Sequence, residues 1–335
     1  MKITEQLLTQ WGACSDGKRT FTQKFPEGAE YKEVIAACDE DGHRDYRTWI
    51  FNHAFQHLVA SEIVEAETDL VPKEIEKGLE PLQLLDSTET KNTDTISKEA
   101  SSRLAASGFN SRLAASGFNS RLAASGRYSQ LAASGFNSRL AASGRYSQLA
   151  ASGDDSQLAA SGDDSRLAAS GDDSQLAASG DDSRLAASGF NSRLAASGRY
   201  SQLAASGFNS RLAASGRYSQ LAASGDDSQL AASGDDSRLA ASGDDSQLAA
   251  SGDDSRLAAS GFNSRLAASG ENSVIASSGL DSTFQIGKGG CAAIAYQDEQ
   301  EKIRFAVAYE GENVKANTWY KVNAKGEFVE VETQS

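Results

Sequence analysis

The stretch Ser152–Gly171, SGDDSQLAASGDDSRLAASG, writes one nine-residue unit twice, and its reading decides the fold. Gly and two Ser return every nine residues, too often for a helix of useful length. Five residues, S-[RQ]-L-A-A, suffice for a short strand, and S-G-x-x supplies a corner. The unit x-x-S-[RQ]-L-A-A-S-G runs from Ala100 to Gly270 without insertion, and two degenerate copies follow, ENSVIASSG at 271–279 and LDSTFQIGK at 280–288. Twenty-one units thus occupy more than half of a 335-residue chain, which makes it a linear array with added ends and not a globular enzyme core.

The order of the variable pair fixes the size of the coil. From Phe118 to Gly189 the pairs run FN, RY, FN, RY, DD, DD, DD, DD, and residues 190–261 repeat those 72 residues letter for letter. Eight units divide by two and not by three. With two units per coil of about 18 residues, identical side chains stack: one side reads FN-R, FN-R, DD-Q, DD-Q and the other RY-Q, RY-Q, DD-R, DD-R. The expected fold is mainly β, a flattened two-sided parallel β-solenoid of about ten coils and roughly 50 Å at the usual strand spacing. Strand alternation puts Ser, Leu and the second Ala inside, and Arg or Gln and the first Ala outside.

The ends differ in composition. Residues 1–60 place Leu7, Leu8 and Trp11, then Phe21 and Phe25, then Tyr31, Val34, Ile35 and Cys38, then Tyr46, Trp49, Ile50, Phe55 and Leu58 at helical spacing, a small α-helical N-terminal domain. Residues 61–99 carry eleven acids against four Lys and read as an acidic linker or cap leading into the solenoid of residues 100–288, with 86–99 a linker or first irregular coil. Residues 289–335 alternate apolar and polar segments between turns, a β-meander suited to cap the array's open end.

The units SGDDSQLAASG and SGDDSRLAASG resemble the G-[DE]-x-S-x-L-x-A half-repeats of bacterial ice-nucleation proteins. They resemble more closely the nonapeptide arrays of uncharacterised bacterial and prophage proteins. The opening LLTQWGAC and FPEGAEY is similar to a helical segment at the start of such proteins. The resemblance implies a β-solenoid and no particular activity. The T-x-T rows of ice-nucleating repeats are absent, and the calcium-binding β-roll spacing is not matched, since the acids follow Gly directly.

Charge is banded. Residues 100–270 hold fifteen Arg and sixteen Asp, so nearly all of the net −14 lies in the flanks. The acidic candidates for a cation or a partner are the pairs Asp154 and Asp155, Asp163 and Asp164, Asp172 and Asp173, Asp181 and Asp182, Asp226 and Asp227, Asp235 and Asp236, Asp244 and Asp245, and Asp253 and Asp254. Like charges stacked at strand spacing repel by about 1 kcal/mol per neighbouring pair in water, which a cation or a basic partner would relieve. The competing reading makes Asp a good corner residue, screened by Arg166 or Arg184. The aromatic and basic candidates are Phe118, Phe136, Phe190 and Phe208 on one side and Arg127, Tyr128, Arg145, Tyr146, Arg199, Tyr200, Arg217 and Tyr218 on the other. They form either an adhesive stripe or simple aromatic ladders.

No P-loop, no G-x-S-x-G and no dinucleotide fingerprint occurs, and His53 with His57 lacks a metal-binding pattern. The expectation is a non-enzymatic structural or interaction protein without a cofactor, whose corners face a protein partner. A nucleic-acid partner is disfavoured, because Asp bands interrupt any positive track. The alternatives are a ligand or surface binder for divalent cations, ice or polyanions, and an acidic DNA mimic. No signal-peptide core, no membrane-length apolar run and three scattered Cys point to the cytoplasm.

Overall fold

The computed structural model describes residues 2–41, 43, 46, 49–50, 53 and 94–331. Each S-[RQ]-L-A-A segment extends into a four-residue strand, and each strand pairs in parallel with the strand 18 residues away. Gln157–Ala160 thus lies between Arg139–Ala142 and Gln175–Ala178, Leu on Leu and Ala on Ala. Twenty-two such strands, from Asp94–Ser97 to Thr283–Ile286, make eleven coils and two sheets. The first sheet begins with Asp94–Ser97 and Arg112–Ala115, the second with Arg103–Ala106 and Arg121–Ala124. Eleven coils, where about ten were expected, result because the irregular DTIS stretch joins the twenty-one units in register as a twenty-second strand.

Between the sheets lies one continuous core of Leu and the second Ala of each unit, with Leu113 to Leu266 nearly all at or below 2% exposure. From Ser111 onward the Ser preceding each strand is buried and, Ser273 apart, its hydroxyl donates to a carbonyl three residues back, as from Ser156 Oγ to Gly153 O at 2.7 Å. That bond closes each corner on the inside and satisfies a polar group that burial would otherwise penalise. Glycine at the ninth position has a steric cause: a Cβ on Gly180 would overlap the carbonyl group of Gly162 in the coil below.

The two outer faces differ despite identical consensus letters. On the first sheet Gln130, Arg166 and Ala168 are exposed, whereas on the second Arg211, Gln229 and Ala231 are buried. Near the C-terminal end Arg265 of the second sheet lies 4.0 Å over the Trp319 ring, and burial pushes its guanidinium pKa down.

The C-terminal strands divide between the sheets. Cys291–Gln297 and Ile303–Tyr309 form a hairpin that prolongs the first sheet, and Tyr320–Val322 with Phe328–Glu330 prolongs the second. The first hairpin joins the array in parallel and ends antiparallel to it, whereas the second joins it antiparallel through Tyr320–Val322, and Phe284 packs under Tyr320 and Phe328 to plug the core. At the other end a separate core of Ile3, Leu8, Phe21, Tyr31, Val34, Ile35 and Ile50 holds helices α1 (Glu5–Gln10), α2 (Ser15–Lys24) and α3 (Tyr31–Asp41). Thr4 caps α1 and the Cys14 thiol caps α2, accepting from the Gly17 amide at 3.3 Å. Lys2–Ile3 pairs with Ala29–Glu30, a short ribbon the helical periodicity does not announce. His53 stacks between Trp11 and Trp49 with Nδ1 2.8 Å from the Trp49 carbonyl; His57, Phe55, Leu58 and most of residues 61–99 lie outside the described residues. No helix among the described residues is long and apolar enough to cross a membrane.

Candidate interaction surface: the two corner edges

The second residue of the variable pair takes the left-handed conformation in all twenty-one units, from Ser101 (φ 61°) to Asp281 (φ 56°). Asn and Asp enter that region at little cost. Tyr128, Tyr146, Tyr200 and Tyr218 do so as well, with φ between 57° and 61°, where a bulky side chain is strained. In each corner the amide of this residue donates to the carbonyl of the first corner residue one coil on, as from Asn119 to Phe136 at 2.9 Å. The corners therefore stack as regularly as the strands.

Stacking sorts the candidates onto two opposite edges. The edge leading into the second sheet carries the Phe118, Phe136, Asp154, Asp172, Phe190, Phe208, Asp226, Asp244 and Phe262 corners, with no cation among them. The edge leading into the first sheet carries Arg127, Arg145, Asp163, Asp181, Arg199, Arg217, Asp235 and Asp253. The two sets of aromatic candidates are thus kept on separate edges, Phe on one and Tyr on the other. On each edge like rings pair face to face: Phe118 with Phe136 at 5.7 Å, Phe190 with Phe208 at 5.5 Å, Tyr128 with Tyr146 at 4.9 Å and Tyr200 with Tyr218 at 5.0 Å. All eight rings are between 41% and 56% exposed, so the ladders are surface features.

The two Asp of each pair have different roles. The first accepts the amide of the first corner residue in the next coil: Asp154 from Asp172 at 2.9 Å, Asp172 from Phe190 at 2.8 Å, Asp181 from Arg199 at 2.7 Å. Asp163, Asp226, Asp235, Asp244 and Asp253 do the same at 2.7–3.3 Å. These carboxylates supply a rung to the stack that Phe or Arg at that position cannot. The second Asp stacks on its own kind: burial, then the Asp155 charge, pushes the Asp173 pKa up, and burial, then the Asp245 charge, does so at Asp227. Asn rows relieve the same position elsewhere, Asn137 donating to Asn119 at 2.9 Å and Asn263 to Asp245 at 2.6 Å.

Arg166 and Arg184 form no direct ion pair among the described residues, although the charge of a strand arginine, Arg193, opposes the rise of the Asp173 pKa; direct pairs come from the neighbouring basic band. Arg145 meets Asp163 at 2.9 Å and Arg217 meets Asp235 at 2.7 Å, each where a basic band borders an acidic one. The reason is direction: side chains at one corner position stack vertically, whereas Arg166 starts from the sheet face. Among the described residues no group of three or more His, Cys, Asp or Glu is placed to hold a metal ion. Sequence reasoning missed the amide-accepting role of the first Asp, because its partner is a backbone amide that no residue letter marks.

Residues 1–59 match the family model described as YdhT N-terminal domain. An uncharacterised protein, YdhT of Escherichia coli (strain K12), is 52% identical over 46 residues, which span 13% of this chain and 17% of that protein. The chain therefore shares only a short segment with that relative. No solved structure matches.

Proposed function

We propose that the chain is a non-enzymatic interaction protein of the cytoplasm, in which a capped solenoid presents banded charged and aromatic corners to a macromolecular partner. The observation that carries this reading is the segregation of exposed corner letters onto two edges while the core-facing strand letters stay constant. Basic, aromatic and acidic groups recur there at fixed coil spacing, with Arg145 and Arg217 more than half exposed. A rigid row of charges at known intervals selects partners by electrostatic complementarity and speeds encounter more than it adds affinity. The three free cysteines suit a reducing compartment.

The test is affinity capture from bacterial lysate with the full chain and with a full-length variant whose Arg127, Arg145, Arg199 and Arg217 are changed to Gln. A partner held by the first and released by the second, and released also by added salt, supports the reading. Equal retention by both places recognition away from the corners and removes it.

A further inference from the structure

The edge leading into the first sheet has a symmetry that the other edge lacks. Its eight corners from Arg127 to Asp253 read basic, basic, acidic, acidic, and then the same again. Reversed, that series is its own complement: every basic corner meets an acidic one. Each basic corner leads into a Gln strand and each acidic corner into an Arg strand, so the bands carry equal and opposite unit charge. Arg145 and Arg217 spend part of their charge on an aspartate of their own chain, whereas Arg127 and Arg199 make no ion pair among the described residues. The flanking Phe109-Asn110 and Glu271-Asn272 corners add no like-charge clash.

We infer that this edge binds a second copy of the chain, antiparallel about a two-fold axis that passes between the Asp181 and Arg199 corners. The proposal rests on the corner-recognition reading above and names its partner. In this arrangement the Arg127 corner faces Asp253 of the second copy, and the series closes inward to Asp181 facing Arg199. Parallel pairing in register sets like charge on like charge. Parallel pairing staggered by two coils restores complementarity but leaves ends unpaired and does not close, so it would propagate into a filament. The opposite edge, with no corner cation, offers a second copy only neutral and acidic bands.

A single row of corners covers well under the roughly 1,200–2,000 Å² of a stable complex. The dimer is therefore weak, and ionic strength governs it. Exposed ion pairs worth roughly a factor of two each multiply over eight corners to about two hundredfold.

Sedimentation velocity of the full chain in about 20 mM and about 0.5 M salt reads the association. The expected result is a dimer in low salt that dissociates in high salt. The Arg127, Arg145, Arg199 and Arg217 to Gln variant is expected to weaken association by about two orders of magnitude. A control with Arg103, Arg112, Arg121 and Arg139 changed to Gln removes as many charges from the sheet faces, outside the acidic bands of this edge, and keeps the dimer. Orientation is read by spin labels at Gln202→Cys or Gln130→Cys, with Cys14, Cys38 and Cys291 changed to Ser. Antiparallel pairing offsets the two Gln202 sites by one coil and the two Gln130 sites by seven coils, about 34 Å along the axis. A monomer in low salt, a dimer indifferent to the corner variant, or equal label distances at both sites overturns the proposal. A monomer that still captures a heterologous partner through its corners leaves the broader reading standing, so the two failures are distinguishable.

Discussion

Leu203→Ala tests how the array is held together. Leu203 is 2% exposed and stacks in register between Leu185 and Leu221. Truncation removes most of the only large apolar side chain its unit contributes. The cavity collapses poorly, because backbone hydrogen bonds on both sides fix the coil spacing. A loss of about 3 kcal/mol is expected, within the range of about 2–5 kcal/mol for buried Leu to Ala. Each coil touches only its neighbours, so a central lesion interrupts cooperativity along the whole stack. Leu113→Ala, whose neighbours are Thr95 and Leu131, sits at a fraying end and should cost less. Urea unfolding followed by circular dichroism gives the totals, and hydrogen exchange gives the location, with faster exchange expected around residues 184–223 for the central variant. A central cost below about 1 kcal/mol, or an equal cost at both sites, would refute the nearest-neighbour account.

Three further sets of substitutions probe the corners. Gly207→Ala should lower the melting temperature markedly, since the added Cβ overlaps the Gly189 carbonyl group, while Ser206→Ala on the exposed side of the same corner should change little. Asp173→Asn and Asp227→Asn should stabilise the protein at neutral pH. Native pKa values raised above the unfolded ones mean that wild-type stability is full below the unfolded carboxylate pKa and falls as pH rises through the native values, so the gain should vanish in melts at about pH 3. Tyr200→Asn with Tyr218→Asn relieves two left-handed residues at about 1 kcal/mol each and loses one ring stack worth about 0.5–1.5 kcal/mol. Calorimetry should therefore show a small net gain in stability, and a clear loss would mean that stacking outweighs the strain.

Much of the array is legible in the sequence because its period is. The 72-residue order of corner pairs implies two units per coil, and the alternation of Ser, Leu and Ala implies which face is buried; the ladder from Arg103–Ala106 onward has both properties. Asp94–Ser97 escapes a consensus search because it shares with the unit only the extended conformation, yet it completes the first coil. The burial of Arg211 and Gln229 has no counterpart in the letters either, since the exposed Gln220 and Arg238 belong to the same consensus. At the candidate surface, residue types and edges follow from the coil length, but the bond from the Asp172 amide to the Asp154 carboxylate depends on a backbone group that carries no letter at all.

The strand letters specify the fold, and the corner letters are left over. Asn or Asp fills the left-handed position in sixteen units and turns the chain at little cost, so a solenoid needs nothing else there. Tyr fills it in four, each at a strain on the order of 1 kcal/mol that its ring stack only partly offsets. The first corner position shows the same conflict, since Asp adds an amide acceptor to the stack and Arg gives that up. On stability alone the Arg-Tyr corners are therefore inferior to Asp-Asn. Their presence in adjacent pairs, on one edge only and in antisymmetric order with the acidic pairs, is accounted for by what the edge presents outward. That order is the property the antiparallel pairing uses, and neither the Leu core nor the strand ladder requires it.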